Sequence, residues 1–343
     1  MPCPHTALQQ RPEPGLWQAE HPALSAALLQ RPELGVRPPG QPLPAHLEGS
    51  RLGRLFGLWL RQRDDAARSA PKQALARALQ ALPAAELRAQ ARRQAALALA
   101  GGWNHWVWAT PSASIAALLG LRLDSLADQR WLHEQLRAMA GALQGGPAAA
   151  AEPACATLLQ ALAAPAAAAA PLQACLNRLA PAQQWPGGGA EFEANRLALL
   201  WQSHEAGAAL LGNALARLAA EPALRRPGRM RAWLPSLLRE GGGVRNTRRF
   251  ALQALEIGGV QLQPGDALLL NLAGNSAEAD DLGFGTGAHR CPGQDLALET
   301  AAAALELLLE HQDGRPWPTT AQGLTLANAH IPTFNDPQET ATP

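Results

Sequence analysis

Apolar residues along this chain recur at spacings of three and four far more often than they alternate, so the pattern predicts helices first and strands only locally. Residues 21–30 read as a short amphipathic helix, and the proline-rich 36–44 cannot be helical. Residues 51–82 carry two helical patterns broken at 63–66. Helices are expected over 84–99, where Pro83 signals the start, within the tryptophan-bearing 101–124, and over 128–143. Residues 144–171 are mostly Ala, Pro and Gly, and Pro147, Pro153, Pro165 and Pro171 cut them into short pieces. After the glycines at 187–189 comes the longest apolar-periodic run, 191 to about 220, followed by a helix over 231–240. Strand-like segments fall at 244–255, 257–272 and 330–334, and a last helix at 294–311. Residues 1–19, polar with four prolines, show no period and are expected to be a frayed lead-in.

Composition sharpens this only a little. Among 343 residues there are five Phe and no Tyr, which favours helix over sheet, and the length suits a single large domain. A net charge near +1 gives no reason to expect nucleic acid or an acidic membrane surface as a partner. Cys3, Cys155, Cys175 and Cys291 lack metal-finger spacing, the N-terminus has neither a basic nor an apolar leader pattern, and no apolar run approaches the roughly 20 residues that span a bilayer. A cytoplasmic, monomeric protein without a membrane anchor is therefore expected.

The chemistry concentrates at residues 284–293, Phe-Gly-Thr-Gly-Ala-His-Arg-Cys-Pro-Gly. Glycines let the backbone pass close to a flat partner, Pro292 suits the start of a helix, and amide donors together with His289 and Arg290 favour a deprotonated Cys291. Such a thiolate suits a soft or borderline metal, haem iron among them. Gly283, Gly285 and Gly287 also resemble a dinucleotide loop, but polar residues 275–281 stand where that motif needs a buried strand. An inert buried cysteine is the other bland reading.

Phe284, Gly287, His289, Cys291 and Gly293 match, at the right spacings, the haem-binding signature of the cytochrome P450 family, with Leu296 and Ala297 extending the match. The resemblance covers about residues 21–334. It implies a mainly α fold with small β-sheets, here lacking the usual N-terminal strands: a lead-in over 1–20 and a single haem domain over 21–343. It implies haem b with Cys291 as axial ligand, cradled by Phe284, Gly287, Gly293 and Ala297. Arg68 and Lys72, four apart, fall where the family places its propionate-holding His and Arg; a solvated basic face like that of Arg61 and Arg63 is the alternative. Arg249, with Arg248 competing, and His289 complete that set. In the long helix Glu205 falls at the family's acid, while Ala206 replaces the threonine whose hydroxyl relays protons during oxygen activation. Ser236 replaces the glutamate partnering the arginine at Arg239, so a substitute acid, Glu240 or Asp280, or a more exposed Arg239 is expected. Pro292 cannot donate a backbone hydrogen bond to the sulfur. The implied activity is a monooxygenase or peroxygenase acting on a small or medium organic substrate of a bacterial biosynthetic pathway, supplied by a ferredoxin-type donor or by peroxide. A degenerate P450-like partner that stabilises or recruits another enzyme is the rival.

Overall fold

The longest apolar run becomes the axis of the molecule. In the computed structural model, which describes residues 8–166, 170–274, 282–310 and 316–335, helix α9 spans Gly188–Ala220, 33 residues or about 50 Å. It is rich in Ala and Leu and free of proline. The Glu191 carboxylate accepts the Gly187 N–H at 2.7 Å and so satisfies a donor at the helix start. Its apolar residues face every direction, as befits a helix buried all round. Leu197, Ala198 and Leu200 enter one core cluster, and Ala208 to Leu211, Ala214, Leu215 and Leu218 enter a second. Residues 201–207 lie at the junction.

Among the described residues, ten further helices surround it: α1 (Pro22–Leu28), α2 (Arg51–Leu58), α3 (Ser69–Gln80), α4 (Ala84–Leu99), α5 (Trp103–Leu118), α6 (Leu126–Leu143), α7 (Glu152–Ala163), α8 (Pro171–Leu179), α10 (Met230–Arg239) and α11 (Gln294–Glu310). Trp103 and Trp106 of α5 are buried core residues, as aromatics at helical spacing usually are. Where α5 crosses α9 the backbones come so close that a Cβ on Gly207 would run into the Pro111 ring. Gly207→Val therefore overpacks the crossing by roughly 1–3 kcal/mol, and a thermal melt followed by circular dichroism is expected to show a lower midpoint without a change of fold.

A five-stranded sheet carries β1 (Gln9–Gln10), β2 (Leu16–Ala19), β3 (Leu34–Gly35), β4 (Asn246–Ala251) and β7 (Ala267–Asn271), in the order β1-β2-β7-β4-β3. β5 (Leu255–Ile257) and β6 (Val260–Leu262) form a hairpin, as do β8 (Thr319–Thr325) and β9 (His330–Asn335). The front strands expected to be missing are present. β2 pairs parallel with β7, more than 240 residues away, with Leu16 opposite Ala267. Two and four residues are too short to show a period, and Pro12, Pro14 and Gly15 mask the intervening turn, so the pairing has no local signal. Strand alternation also separates the two arginines of β4: Arg249 turns inward, 6% exposed, and Arg248 turns out.

Behind the cysteine loop, α11 is tied to its neighbours by charge. Arg231 of α10 reaches Asp295 at 2.9 Å and Glu299 at 3.0 Å, Arg88 of α4 reaches Glu299 at 2.6 Å, and Arg92 pairs with Glu310. Ser236 donates only to the Trp233 carbonyl. Arg239 is half-buried without an ion pair among the described residues, Glu240 pairs instead with Arg217 at 3.4 Å, and Asp280 lies outside the described residues. Glu240 is thus not the substitute acid, and the half-buried Arg239 keeps no acid partner among the described residues.

A polar island sits between α5, α6 and α9. The His204 ring lies 5.0 Å from those of Trp108 and His133, and burial lowers the pKa of His204 to about 3 and of His133 to about 4. With His289, also lowered to about 4, these residues bind fewer protons folded than unfolded below the ordinary histidine value of 6.5. Stability from this source is complete above that pH and falls as pH drops toward 4. His204→Leu is expected to move the acid midpoint about half a pH unit lower, measured by ellipticity against pH.

Candidate functional site

The loop over 284–293 is closed on itself before it meets anything else. The Cys291 N–H donates to the Phe284 carbonyl at 2.9 Å, and the Gly285 N–H to Leu282 at 2.7 Å. Gly285 and Gly287 have φ of +67° and +66°, open to glycine at little cost. At Gly287 a Cβ would stand 2.9 Å from the Leu29 carbonyl, so any larger residue displaces the loop from α1. Phe284 packs on the second core cluster. Ala297 sits in the first turn of α11, its N–H donating to the Gly293 carbonyl at 2.9 Å.

Cys291 is accessible yet deep within the protein. Burial raises its pKa, opposed by the Gly293 amide and by the charges of Arg61, Lys72 and Arg290. Pro292 has no N–H to offer the sulfur, and the Gly293 amide one residue further on supplies a donor. Without a bound cation, burial outweighs the positive surroundings; a coordinated metal reverses that order.

A belt of cations borders the thiol. Arg68, 5% exposed at the start of α3, donates to the Leu60 carbonyl at 3.0 Å and the Ala288 carbonyl at 2.9 Å, and a nitrogen of its fork lies 3.2 Å from His289 Nδ1. Lys72 donates to the same Ala288 carbonyl. Burial first, and the charge of Arg68 second, lower its pKa to about 8. Arg249 donates to Thr247 Oγ1 at 3.1 Å and is lowered to about 10, chiefly by burial. His289 is neutral at pH 7. With Arg68 donating to Nδ1, its Nε2–H donates to Asp64 Oδ1 at 2.7 Å, and the Asp64 carboxylate also accepts the Val36 N–H at 2.7 Å. A cavity of about 530 Å³ opens between α3 and the loop, bordered by Arg68, Lys72, Gln73, Arg290 and Cys291. None of its lining residues comes from α9.

On α9, Trp201 and Glu205 are four apart and so share a face, turned away from the Gly207 contact with α5. Glu205 accepts a hydrogen bond from Gln144 at 2.6 Å, and burial raises its pKa. Ala206 offers no hydroxyl.

No protein-family model and no curated protein matches the sequence, but solved structures match nearly its whole length. The chain is similar to epothilone B-bound cytochrome P450epoK, with a TM-score of 0.75 and 17% identity over 96% of this chain and 92% of that one. Against P450BioI, solved with an acyl carrier protein ligated to hexadec-9Z-enoic acid, the TM-score is 0.74 and the identity 17%, covering 97% and 94%. The P450 heme domain of Tepidiphilus thermophilus gives 0.70 and 19%, covering 96% and 89%.

The chain has the cytochrome P450 fold.

Within that P450 fold the sequence-derived residues fall into two groups. Phe284, Gly287, His289, Cys291, Gly293, Ala297, Arg68 and Lys72 come together around the loop, and Asp64, Arg61 and Arg68 lie close enough to Arg249 for their charges to act on it. Glu205 stands apart, on the face of α9 that meets the end of α6. The solvated basic face read at Arg61 and Arg63 is not found. Arg63 pairs with Asp65 at 2.7 Å and with the fully buried Glu191 at 2.5 Å. Arg61 turns inward, its guanidinium 5.6 Å from the Trp201 ring and within electrostatic reach of Cys291. A lone arginine in an irregular stretch carries no periodic signal; only the pinning of its turn to α9 reveals its direction.

The residues fit a haem. The Cys291 thiol remains accessible, three cations near it, Arg68, Lys72 and Arg249, lack any ion pair among the described residues, and glycines clear the loop.

Proposed function

We propose that this protein is a haem-thiolate oxidoreductase of the cytochrome P450 family, acting as a monooxygenase or peroxygenase on a small or medium organic substrate, in keeping with a role in secondary metabolism. The carrying observation is Cys291, accessible inside the protein on a self-closed loop with the P450 signature, in a chain with the P450 fold. Haem b bound there would be held through the Cys291 sulfur and would supply oxygen or peroxide activation.

This chain's own residues divide the remaining work. The Gly293 amide orients and partly neutralises the sulfur. Arg68, Lys72 and Arg249 hold the propionates as cations, Arg68 and Arg249 with forks that suit carboxylates. His289 is a positioning residue: both its ring nitrogens are engaged, so it fixes Arg68 against Asp64. Glu205, with its pKa raised and Gln144 holding it, moves protons near the substrate side. With Ala206 in place of a hydroxyl, proton delivery falls to Glu205, to the substrate, or to peroxide. A ferredoxin-type donor docks on the cysteine side where one is used.

Expression with a haem precursor followed by a haem assay tests this reading. Near-stoichiometric haem that resists gel filtration is expected; haem-free, well-folded protein would contradict it and favour the non-catalytic partner.

A further inference from the structure

The turn over residues 58–63 is fixed by α9 from two sides. The Asn195 amide accepts the Leu60 N–H and donates to the Leu58 carbonyl, both at 3.0 Å, and Glu191 takes Arg63. From the other side Arg68 donates to the Leu60 carbonyl. This clamp aims Arg61 into the interior, over Trp201, whose ring stacks on Trp59 with centroids 4.9 Å apart. The arginine makes no hydrogen bond or ion pair among the described residues. Both indole N–H groups, Trp59 Nε1 and Trp201 Nε1, are buried without an acceptor. An accessible guanidinium with no acid partner, beside two buried indole N–H groups left unmatched, is a site open to an acceptor.

Charge points to the kind of acceptor. A ferric haem with a thiolate ligand is neutral at its centre and carries two propionates. Apart from the exposed Arg290, which is bonded to Gln294, Arg61, Arg68, Lys72 and Arg249 bring four positive charges; Asp64 offsets one and the propionates two, leaving one cation over. Arg68 and Lys72 are bonded to the loop at Ala288, whereas Arg61 is the one that stands on α9.

We propose that Arg61, seated on Trp201 and flanked by Trp59, anchors a carboxylate of the substrate. The proposal rests on the haem-thiolate reading above and narrows its substrate to an organic acid with an apolar body. Trp201 holds the guanidinium in place, the carboxylate docks on its fork, and the apolar part of the acid packs beside the Trp201 ring.

The test uses haem-loaded wild type, Arg61→Ala and Arg61→Lys with ω-(imidazol-1-yl)alkanoates of three chain lengths and the matched neutral 1-alkylimidazoles. The imidazole reports through the Soret shift, and the carboxylate probes for the guanidinium. At one length or more the acid is expected to bind wild type at least tenfold more tightly than its neutral match, about 1.4 kcal/mol. Arg61→Ala is expected to lose that preference while keeping its haem content and its affinity for the neutral imidazole; Arg61→Lys keeps part of it. No acid preference in wild type, or a preference surviving in Arg61→Ala, overturns the proposal. Loss of haem from Arg61→Ala overturns it too and reassigns Arg61 to a propionate. If wild type itself takes up no haem, the reading above fails. Quenching of tryptophan fluorescence by decanoate, present in wild type and absent in Arg61→Ala, then still reads the anchor, and equal quenching in both refutes it.

Discussion

Cys291→Ser abolishes the thiolate-type spectrum and weakens haem binding at least a hundredfold, roughly 3 kcal/mol, while the melting temperature of the haem-free protein hardly moves. The two effects separate because of where the residue sits. Its side chain is accessible and packs in none of the core clusters, and the bond that closes the loop, from the Cys291 N–H to Phe284, is a backbone contact that serine preserves. Serine also keeps the donor from Gly293. What is lost is a soft anion, and serine does not ionise at neutral pH. Titrating haem-free protein with haemin and following the Soret band gives both numbers. Cys155 and Cys175 cannot substitute: both are buried among apolar residues of α7 and α8, and burial pushes Cys155 up to about 12. A thiolate spectrum surviving in Cys291→Ser would move the ligand elsewhere.

Arg68→Ala has the second largest expected effect, and it acts on both fold and site. Its fork joins three parts of the chain that are otherwise separate: the turn at Leu60, the start of α3, and the cysteine loop at Ala288 and His289. Truncation strands the Leu60 carbonyl and His289 Nδ1 and leaves the Ala288 carbonyl to Lys72 alone. At about 1–3 kcal/mol for each buried group left unmatched, a loss of about 3 kcal/mol is expected in urea unfolding. Haem retention falls with it, because the same guanidinium is placed to face a propionate. Arg68→Lys recovers charge but not the fork and restores only part of either. Wild-type stability together with wild-type haem affinity in Arg68→Ala would remove this residue from the account.

Helix periodicity made most of the scaffold legible. The block at 84–99 coincides with α4, and the run from 191 extends three residues earlier to the glycine hinge that starts α9. The cysteine loop was legible because its constraints are local: positive φ at Gly285 and Gly287 and a thiol before a helix demand particular residues at fixed spacings. The front strands were not, since their stability comes from a partner beyond residue 266. Nor was the clamp behind the loop. The family's Glu–Arg pair is absent, and Arg231 with Asp295 and Glu299 holds α11 instead, a set joined only by folding. Arg61 was misread for the same reason, because its inward direction is decided by Asn195 and Glu191, more than 120 residues away.

The central claim is that Cys291 presents a thiolate to haem iron inside this P450 fold. Reducing the haem-loaded wild type under carbon monoxide and recording the difference spectrum tests it most directly. A Soret band at the long wavelength of a haem-thiolate carbonyl complex, lost in Cys291→Ser, is the predicted result. A band at the shorter wavelength of a histidine-ligated haem in freshly prepared wild type, or no carbonyl complex from protein that retains its haem, would contradict it.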